Sequence, residues 1–204
     1  QQFCQGDNYK ISVPGLNPSN HKFSWSTGSE KPTITVNNSG VYNVFVTDNE
    51  GCSGVDTINI NVSPKPIPNL RDTSICEGKI ATFNSGPYSS YKWTPNGEII
   101  QSISAGKSGK YSVLVTDKDG CSGSGSANLT VYSKPNIPNY PDQQACEGGN
   151  ITLGATLPRG SYLWKPNKAT TQSITISESD EYTVSITNSN GCIDSVTINA
   201  VFNP

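Results

Sequence analysis

The chain has 204 residues, of which 14 are basic and 16 acidic, so its formal net charge at pH 7 is −2. This balance gives no basic surface for nucleic acid or for an anionic membrane. Hydrophobic residues make up only 33% of the chain, and no apolar run approaches the roughly 20 residues of a transmembrane helix. We therefore expect no nucleic-acid partner and no membrane insertion.

The same order of sequence features occurs three times, which predicts tandem units of about 70 residues each. We assign residues 1–63, 64–133 and 134–204 to the three repeats, and the Pro-rich stretches 64–69 and 134–141 to linkers that open repeats two and three. Because proline restricts φ and favours extended backbone, we expect these linkers to be short and stiff. The sequence therefore predicts three domains in an elongated rod.

Each repeat opens with a Cys, and apolar residues follow five and seven positions later, as in a short β-strand. The next predicted strand carries an aromatic-x-Trp pair whose period-two spacing places both rings on one face. We expect this face to be the core. The alternative, in which exposed Trp rings stack on sugars as in a lectin, is less favoured because the ring takes the same strand position in every repeat. The predicted core Trp residues are Trp25, Trp93 and Trp164.

A further apolar strand leads to the most regular segment, a Tyr-x-Val strand that ends in Asp/Asn-x-x-Gly-Cys. Its alternation predicts a half-buried strand, and the Asp/Asn-x-x-Gly stretch predicts a turn into the last strand. The three tyrosines resemble the tyrosine corner of immunoglobulin domains. They are Tyr42, Tyr111 and Tyr182.

Six or seven short strands per repeat, a central Trp and frequent turn signals predict an all-β protein of three immunoglobulin-like β-sandwiches. One position departs from the immunoglobulin pattern. Two residues after the Tyr, where an immunoglobulin domain has its core Cys, the repeats have Val44, Val113 and Val184. We expect aliphatic packing there instead of a core disulfide.

These motifs together resemble the immunoglobulin-like repeats of large Bacteroidota surface adhesins, such as the SprB-like gliding-motility adhesins. The resemblance spans the whole chain and rests on Cys-Glu-Gly at 76–78 and 146–148, Gln-Ser-Ile-Thr-Ile at 172–176, and the Tyr-to-Cys segment. It implies secretion by the type IX system and display on the outer surface of a Gram-negative bacterium. It also implies a role as stalk or spacer repeats that present a distal adhesive region for adhesion or gliding motility.

A second interpretation is a carbohydrate- or protein-binding module, or a spacer attached to a secreted enzyme. A binding site would require the same polar and aromatic residues in every repeat, whereas the loops 14–22, 86–90 and 157–161 differ between repeats. This difference favours the stalk. We expect neighbouring repeats as partners, with surface glycans or other cell-surface proteins as further candidates.

All six cysteines are expected in disulfides, which requires an oxidising compartment and hence export. They are Cys4, Cys52, Cys76, Cys121, Cys146 and Cys192. Pairing within each repeat is the favoured prediction: Cys4–Cys52, Cys76–Cys121 and Cys146–Cys192. Immunoglobulin topology opposes it, because it places the two cysteines at opposite ends of a sandwich. The alternative is pairing between neighbours, Cys4–Cys121 and Cys76–Cys192, which leaves Cys52 and Cys146 unpaired.

We expect no enzymatic activity and no cofactor. His21 is the only His and has no counterpart in the other repeats, so neither a catalytic relay nor a His-based metal site can be assembled. The Asp-x-x-Gly segments faintly resemble calcium loops, but repeat three has Asn188 there, which favours turn chemistry. From the resemblance, Thr57 and Ser195 are candidates for O-glycosylation, because each follows Asp and precedes an aliphatic residue.

Overall fold

A computed structural model describes residues 1–155 and 160–204, so part of the third variable loop, residues 157–159, lies outside the described residues. Eighteen β-strands and no helix occur in the described chain, and the all-β prediction is confirmed. Within the same residues, no helix is long and apolar enough to cross a membrane.

The six strands of repeat one form two sheets. They are β1 (Gln2–Cys4), β2 (Tyr9–Ser12), β3 (His21–Trp25), β4 (Thr33–Val36), β5 (Gly40–Asp48) and β6 (Ser53–Ser63). One sheet has the order β1-β6-β5-β3, and the other pairs β2 with β4. All pairs are antiparallel except β1 with β6, which is parallel. This order matches strands A′, G, F and C facing strands B and E of an immunoglobulin sandwich.

Repeats two and three have the same strand order. Repeat two contains β7 (Thr73–Cys76), β8 (Ala81–Asn84), β9 (Ser90–Thr94), β10 (Ser102–Ala105), β11 (Gly109–Thr116) and β12 (Ser122–Tyr132). Repeat three contains β13 (Gln143–Cys146), β14 (Ile151–Gly154), β15 (Ser161–Lys165), β16 (Ser173–Ile176), β17 (Asp180–Thr187) and β18 (Ile193–Asn203). The four-stranded sheets run β7-β12-β11-β9 and β13-β18-β17-β15. The chain therefore contains three immunoglobulin-like sheet pairs.

The core of each sandwich lies where the period-two patterns place it. The three Trp side chains are at most 4% exposed, and the valines at the position of the missing core Cys are at most 3% exposed. In repeat three, Trp164 packs with Tyr182, Val184 and Ile198 in one buried cluster. Aliphatic side chains thus fill the space that a disulfide crosses in an immunoglobulin domain.

Residue contacts group the chain into two compact units. The first contains Gln1–Arg71, Asn84–Ile103 and Tyr111–Ala127, and the second contains Asp72–Phe83, Ser104–Lys110 and Asn128–Pro204. The repeat boundaries at 63/64 and 133/134 therefore stay a prediction from sequence periodicity. Each compact unit includes one disulfide that joins two successive repeats.

Candidate functional site: the disulfide junctions

The parallel pairing of β1 with β6 places the two cysteines of repeat one at opposite ends of its sheet. Cys4 pairs with Ser63, the last residue of β6. Cys52 directly precedes Ser53, the first residue of that 11-residue strand. At a rise of about 3.3 Å per residue, the strand separates the two positions by roughly 33 Å. A disulfide needs Cα atoms within about 7 Å, so a Cys4–Cys52 bond cannot form.

The structure instead joins each repeat to the next. Cys4 bonds Cys121 with a Cα–Cα distance of 5.4 Å, and Cys76 bonds Cys192 with a Cα–Cα distance of 5.5 Å. The prediction of Cys4–Cys52, Cys76–Cys121 and Cys146–Cys192 pairs is therefore wrong, and the alternative pairing between neighbours is confirmed. Only four of the six cysteines expected in disulfides are bonded within the chain, because Cys52 and Cys146 are free thiols at exposed positions.

The second cysteine of each repeat is held by a side-chain-capped turn. In repeat two, Asp117 Oδ1 accepts the backbone N–H groups of Asp119 and Cys121, both at 2.9 Å. The Asp117 N–H donates to the Cys121 carbonyl at 2.9 Å, and Gly120 has a positive φ of 82°. Asn188 makes the equivalent bonds in repeat three, so the turn needs an oxygen acceptor and not a charge.

The first junction comprises the end of β1, Ser63 and the 117–121 turn. Cys121 is fully buried, and its Sγ lies 3.9 Å from the Ser63 carbonyl oxygen. Gln2 Nε2 donates to Ser63 Oγ at 2.6 Å, and Ser63 Oγ donates to Asp119 Oδ2 at 3.4 Å. The Lys118 side chain, whose Nζ donates to Asp119 Oδ1 at 3.0 Å, lowers the pKa of Asp119, and the Gln2 and Ser63 side chains add to this effect.

Two glycines let the linker 64–69 lie directly on β12. A Cβ on Gly123 would overlap the Pro66 carbonyl oxygen, and a Cβ on Gly125 would overlap the Pro68 carbonyl oxygen. Pro68 is buried there. The sequence patterns described above predict no such role for the two glycines. The alternating Ser-Gly-Ser-Gly run at 122–125 is the signal, because glycine within a strand marks a close approach by another backbone.

The second junction uses the same disulfide positions with different neighbours. Asn188 Nδ2 donates to the Ser133 carbonyl at 2.9 Å, and Cys192 Sγ lies 3.8 Å from the Tyr132 carbonyl oxygen. Pro135 of the linker is buried. Asn188 therefore has two functions: its oxygen caps its own turn, and its amide binds the preceding repeat.

The other predicted residues have structural contacts. Each Trp Nε1–H donates to a backbone carbonyl six or seven residues later, at 2.8 to 2.9 Å. Tyr42 and Tyr182 donate their hydroxyls to the carbonyls four residues earlier, at 3.0 and 3.2 Å, as in a tyrosine corner. Thr57 and Ser195, the candidate glycosylation positions, are exposed on β6 and β18.

A surface depression lies beside β3 and β5 of repeat one. It has a volume of ≈ 560 Å³ and is lined by His21, Lys22, Phe23, Ser24, Glu30, Phe45 and Thr47. Its set of side chains is not repeated, because Leu114 and Ser185 take the position of Phe45 in repeats two and three. Among residues 1–155 and 160–204, no group of three or more His, Cys, Asp or Glu is placed to hold a metal ion.

The known structures to which the chain is similar include tandem immunoglobulin domains. The I-band fragment I67–I69 of titin has a TM-score of 0.46 at 16% identity, covering 100% of this chain and 95% of that one. The insect immune protein hemolin has a TM-score of 0.38 at 13% identity, and the match covers 100% of this chain and 73% of that one. The Down syndrome cell adhesion molecule has a TM-score of 0.30 at 13% identity, and the match covers 99% of this chain and 39% of that one.

No protein-family model matches the chain, and no curated protein matches it significantly. The immunoglobulin-like assignment rests on the strand order and register described above.

Proposed function

We propose that the chain forms structural stalk repeats of a large secreted cell-surface adhesin, which present a distal adhesive region. Disulfides indicate an oxidising compartment outside the cytoplasm. The resemblance to Bacteroidota adhesin repeats supports a location on the outer surface of a Gram-negative bacterium, with type IX secretion and a role in adhesion or gliding motility. In this proposal the repeats follow one another in series as an elongated rod, and neighbouring repeats are the main partners.

The observation that carries this proposal is that the two disulfide-closed loops overlap in sequence. The Cys4–Cys121 loop contains Cys76, and the Cys76–Cys192 loop contains Cys121, so the two loops overlap along the chain. The shortest covalent path from the first to the last residue crosses both disulfides and follows only about 60 residues. If the repeats unfold under tension, the two disulfides still limit how far the stalk can lengthen.

Single-molecule pulling from the two chain ends tests this role. We expect the oxidised protein to reach a fully extended length of about 200 Å, against roughly 700 Å after reduction, at about 3.4 Å per residue. The matched control is the Cys4→Ser/Cys76→Ser double variant, which should reach the longer length without a reductant. Oxidised protein that extends as far as reduced protein would contradict the proposal.

The second candidate function is a carbohydrate- or protein-binding module, or a spacer beside a secreted enzyme. The depression beside His21 and Phe45 in repeat one favours it, because one specialised repeat is sufficient for binding. A glycan array probed with the whole chain separates the two functions. Binding to a defined glycan that is lost in a Phe45→Ala variant would favour the binding module.

A further inference from the structure

Cys52 lies in a turn with the same hydrogen bonds as the turns that carry the disulfide-bonded Cys121 and Cys192, but Cys52 is exposed and those two cysteines are buried. Asp48 Oδ1 accepts the N–H groups of Glu50 and Cys52 at 2.9 and 2.8 Å, as Asp117 does in the first junction. Cys121 and Cys192 are at most 1% exposed, whereas Cys52 is exposed. The turn is thus already in the geometry that elsewhere holds a disulfide.

The strand after this turn shows the same contrast. Gly54 takes the position that Gly123 has in repeat two. A Cβ on Gly54 would meet nothing within 4 Å, while a Cβ on Gly123 would overlap the Pro66 carbonyl oxygen. Residues 53–57 are all exposed, and Val55 among them is 70% exposed. This uncovered edge of β6 corresponds to the edge of β12 on which the linker 64–69 lies.

Cys146 takes the strand position of Cys4, which is the other cysteine of the first junction. It pairs with Asn203 in the same parallel register as Cys4 with Ser63. The N–H of the following residue, Glu147, donates to the Asn203 carbonyl at 2.6 Å, as in the other repeats. Ser63 is only 4% exposed at its junction, whereas Cys146 and Asn203 are both exposed. The first half of a junction is therefore formed here.

We infer that these two surfaces bind a second copy of this chain head to tail, with a disulfide between Cys52 of one copy and Cys146 of the other. The inference rests on the two internal junctions, which show how the surfaces meet, and it stands whether or not the chain is a stalk. Because the two surfaces differ, the contact is heterologous and does not close on itself, so successive copies form an open chain.

The covalent step balances with a disulfide oxidant. One thiolate attacks the oxidant, such as oxidised glutathione, to give a mixed disulfide and one thiol. The thiolate of the second copy then displaces the other glutathione, so two protein thiols become one disulfide and two glutathione molecules are released. In the cell an exported thiol–disulfide oxidoreductase is the corresponding class of oxidant.

Oxidation of the whole chain and of two single variants tests the inference. With oxidised glutathione, the unaltered chain should give a ladder of oligomers on a non-reducing gel. Cys52→Ser and Cys146→Ser should each remain monomeric, and their equimolar mixture should stop at the dimer. We expect roughly tenfold more dimer in the mixture than in either variant alone. Peptide mapping of that dimer should give a Cys52–Cys146 linked peptide with both internal disulfides retained.

Two outcomes would overturn the inference. One is dimerisation of either single variant alone to the extent seen in the mixture, which would mean that exposed thiols react without a specific surface. The other is a mixture that stays monomeric while both internal disulfides are intact. A third variant, Asp48→Ala, retains the thiol and removes the turn acceptor; it should oligomerise more slowly than the unaltered chain, and an unchanged rate would contradict the role of the turn.

Discussion

At the scale of single residues, the buried Trp of each repeat combines packing with a satisfied polar group. The Trp164 indole is fully buried, and its Nε1–H donates to the Thr171 carbonyl at 2.9 Å. This bond ties β15 to the segment that leads into β16. A ring with this contact is unavailable for stacking on a sugar, so the residue stabilises the sandwich.

Replacing Trp164 with Phe should therefore destabilise repeat three. The change removes the donor to Thr171 and leaves a cavity, for which we expect a loss of about 2–4 kcal/mol in the free energy of unfolding. Urea unfolding followed by tyrosine fluorescence or circular dichroism measures it. Leu163→Ala is the control, because Leu163 is 43% exposed on the opposite face and should cost less than about 1 kcal/mol. Equal losses for the two variants would contradict the assigned core.

At the scale of elements, the linker 64–68 and the start of β12 form one packed unit because Gly123 and Gly125 have no side chains. Neither glycine has a positive φ, so backbone conformation does not require them. Close approach of the linker carbonyls requires them instead. This separates the two uses of glycine in the chain, since Gly120 serves the turn through its positive φ of 82°.

Gly123→Ala should displace the linker, with a stability loss of about 1–3 kcal/mol from overpacking. Faster amide hydrogen exchange and proteolysis within residues 64–69 would report the displacement. Gly54→Ala is the matched control, because its Cβ would meet nothing within 4 Å, and we expect a change within about 0.5 kcal/mol. Unchanged linker protection in Gly123→Ala would be evidence against the close packing.

The disulfide pattern also depends on where strands β6 and β12 end. Non-reducing peptide mapping should give a Cys4–Cys121 and a Cys76–Cys192 linked peptide, because the ends of β6 and β12 face the turns of the following repeats. Alkylation of the monomer before denaturation should label two thiols, Cys52 and Cys146. A linked Cys4–Cys52 peptide would require the parallel pairing of β1 with β6 to be absent.

At the scale of the whole molecule, the proposed stalk requires repeats in series. Cysteines at opposite ends of each sandwich, joined from one repeat to the next, support this arrangement. Small-angle scattering should give a maximum dimension on the order of 100 Å, from strands of about seven residues at roughly 3.3 Å each plus turns and linkers. The radius of gyration of a compact 204-residue globule, about 17 Å, would contradict a rod.

The sequence by itself determined the strands, the core and the turns, because these depend on neighbours within a few residues. Period-two alternation placed the Trp and Val side chains inside, and Asp/Asn-x-x-Gly specified the turn that positions Cys121. Three repeated copies strengthened each of these predictions. The sandwich class followed, since few arrangements bury one apolar face of so many short strands.

Only the tertiary structure decided which cysteines meet and why Gly123 is glycine. Spacing favoured pairs within repeats, but the parallel register of Cys4 with Ser63 links residues far apart in the chain and places Cys4 at the far end from Cys52. That register leaves no local period in the sequence, and the alternating Ser-Gly run at 122–125 marks a close approach without identifying Pro66 as the residue that approaches. The register and the approach arise from backbones meeting across sheets and linkers, so the pairing between repeats followed only from three-dimensional packing.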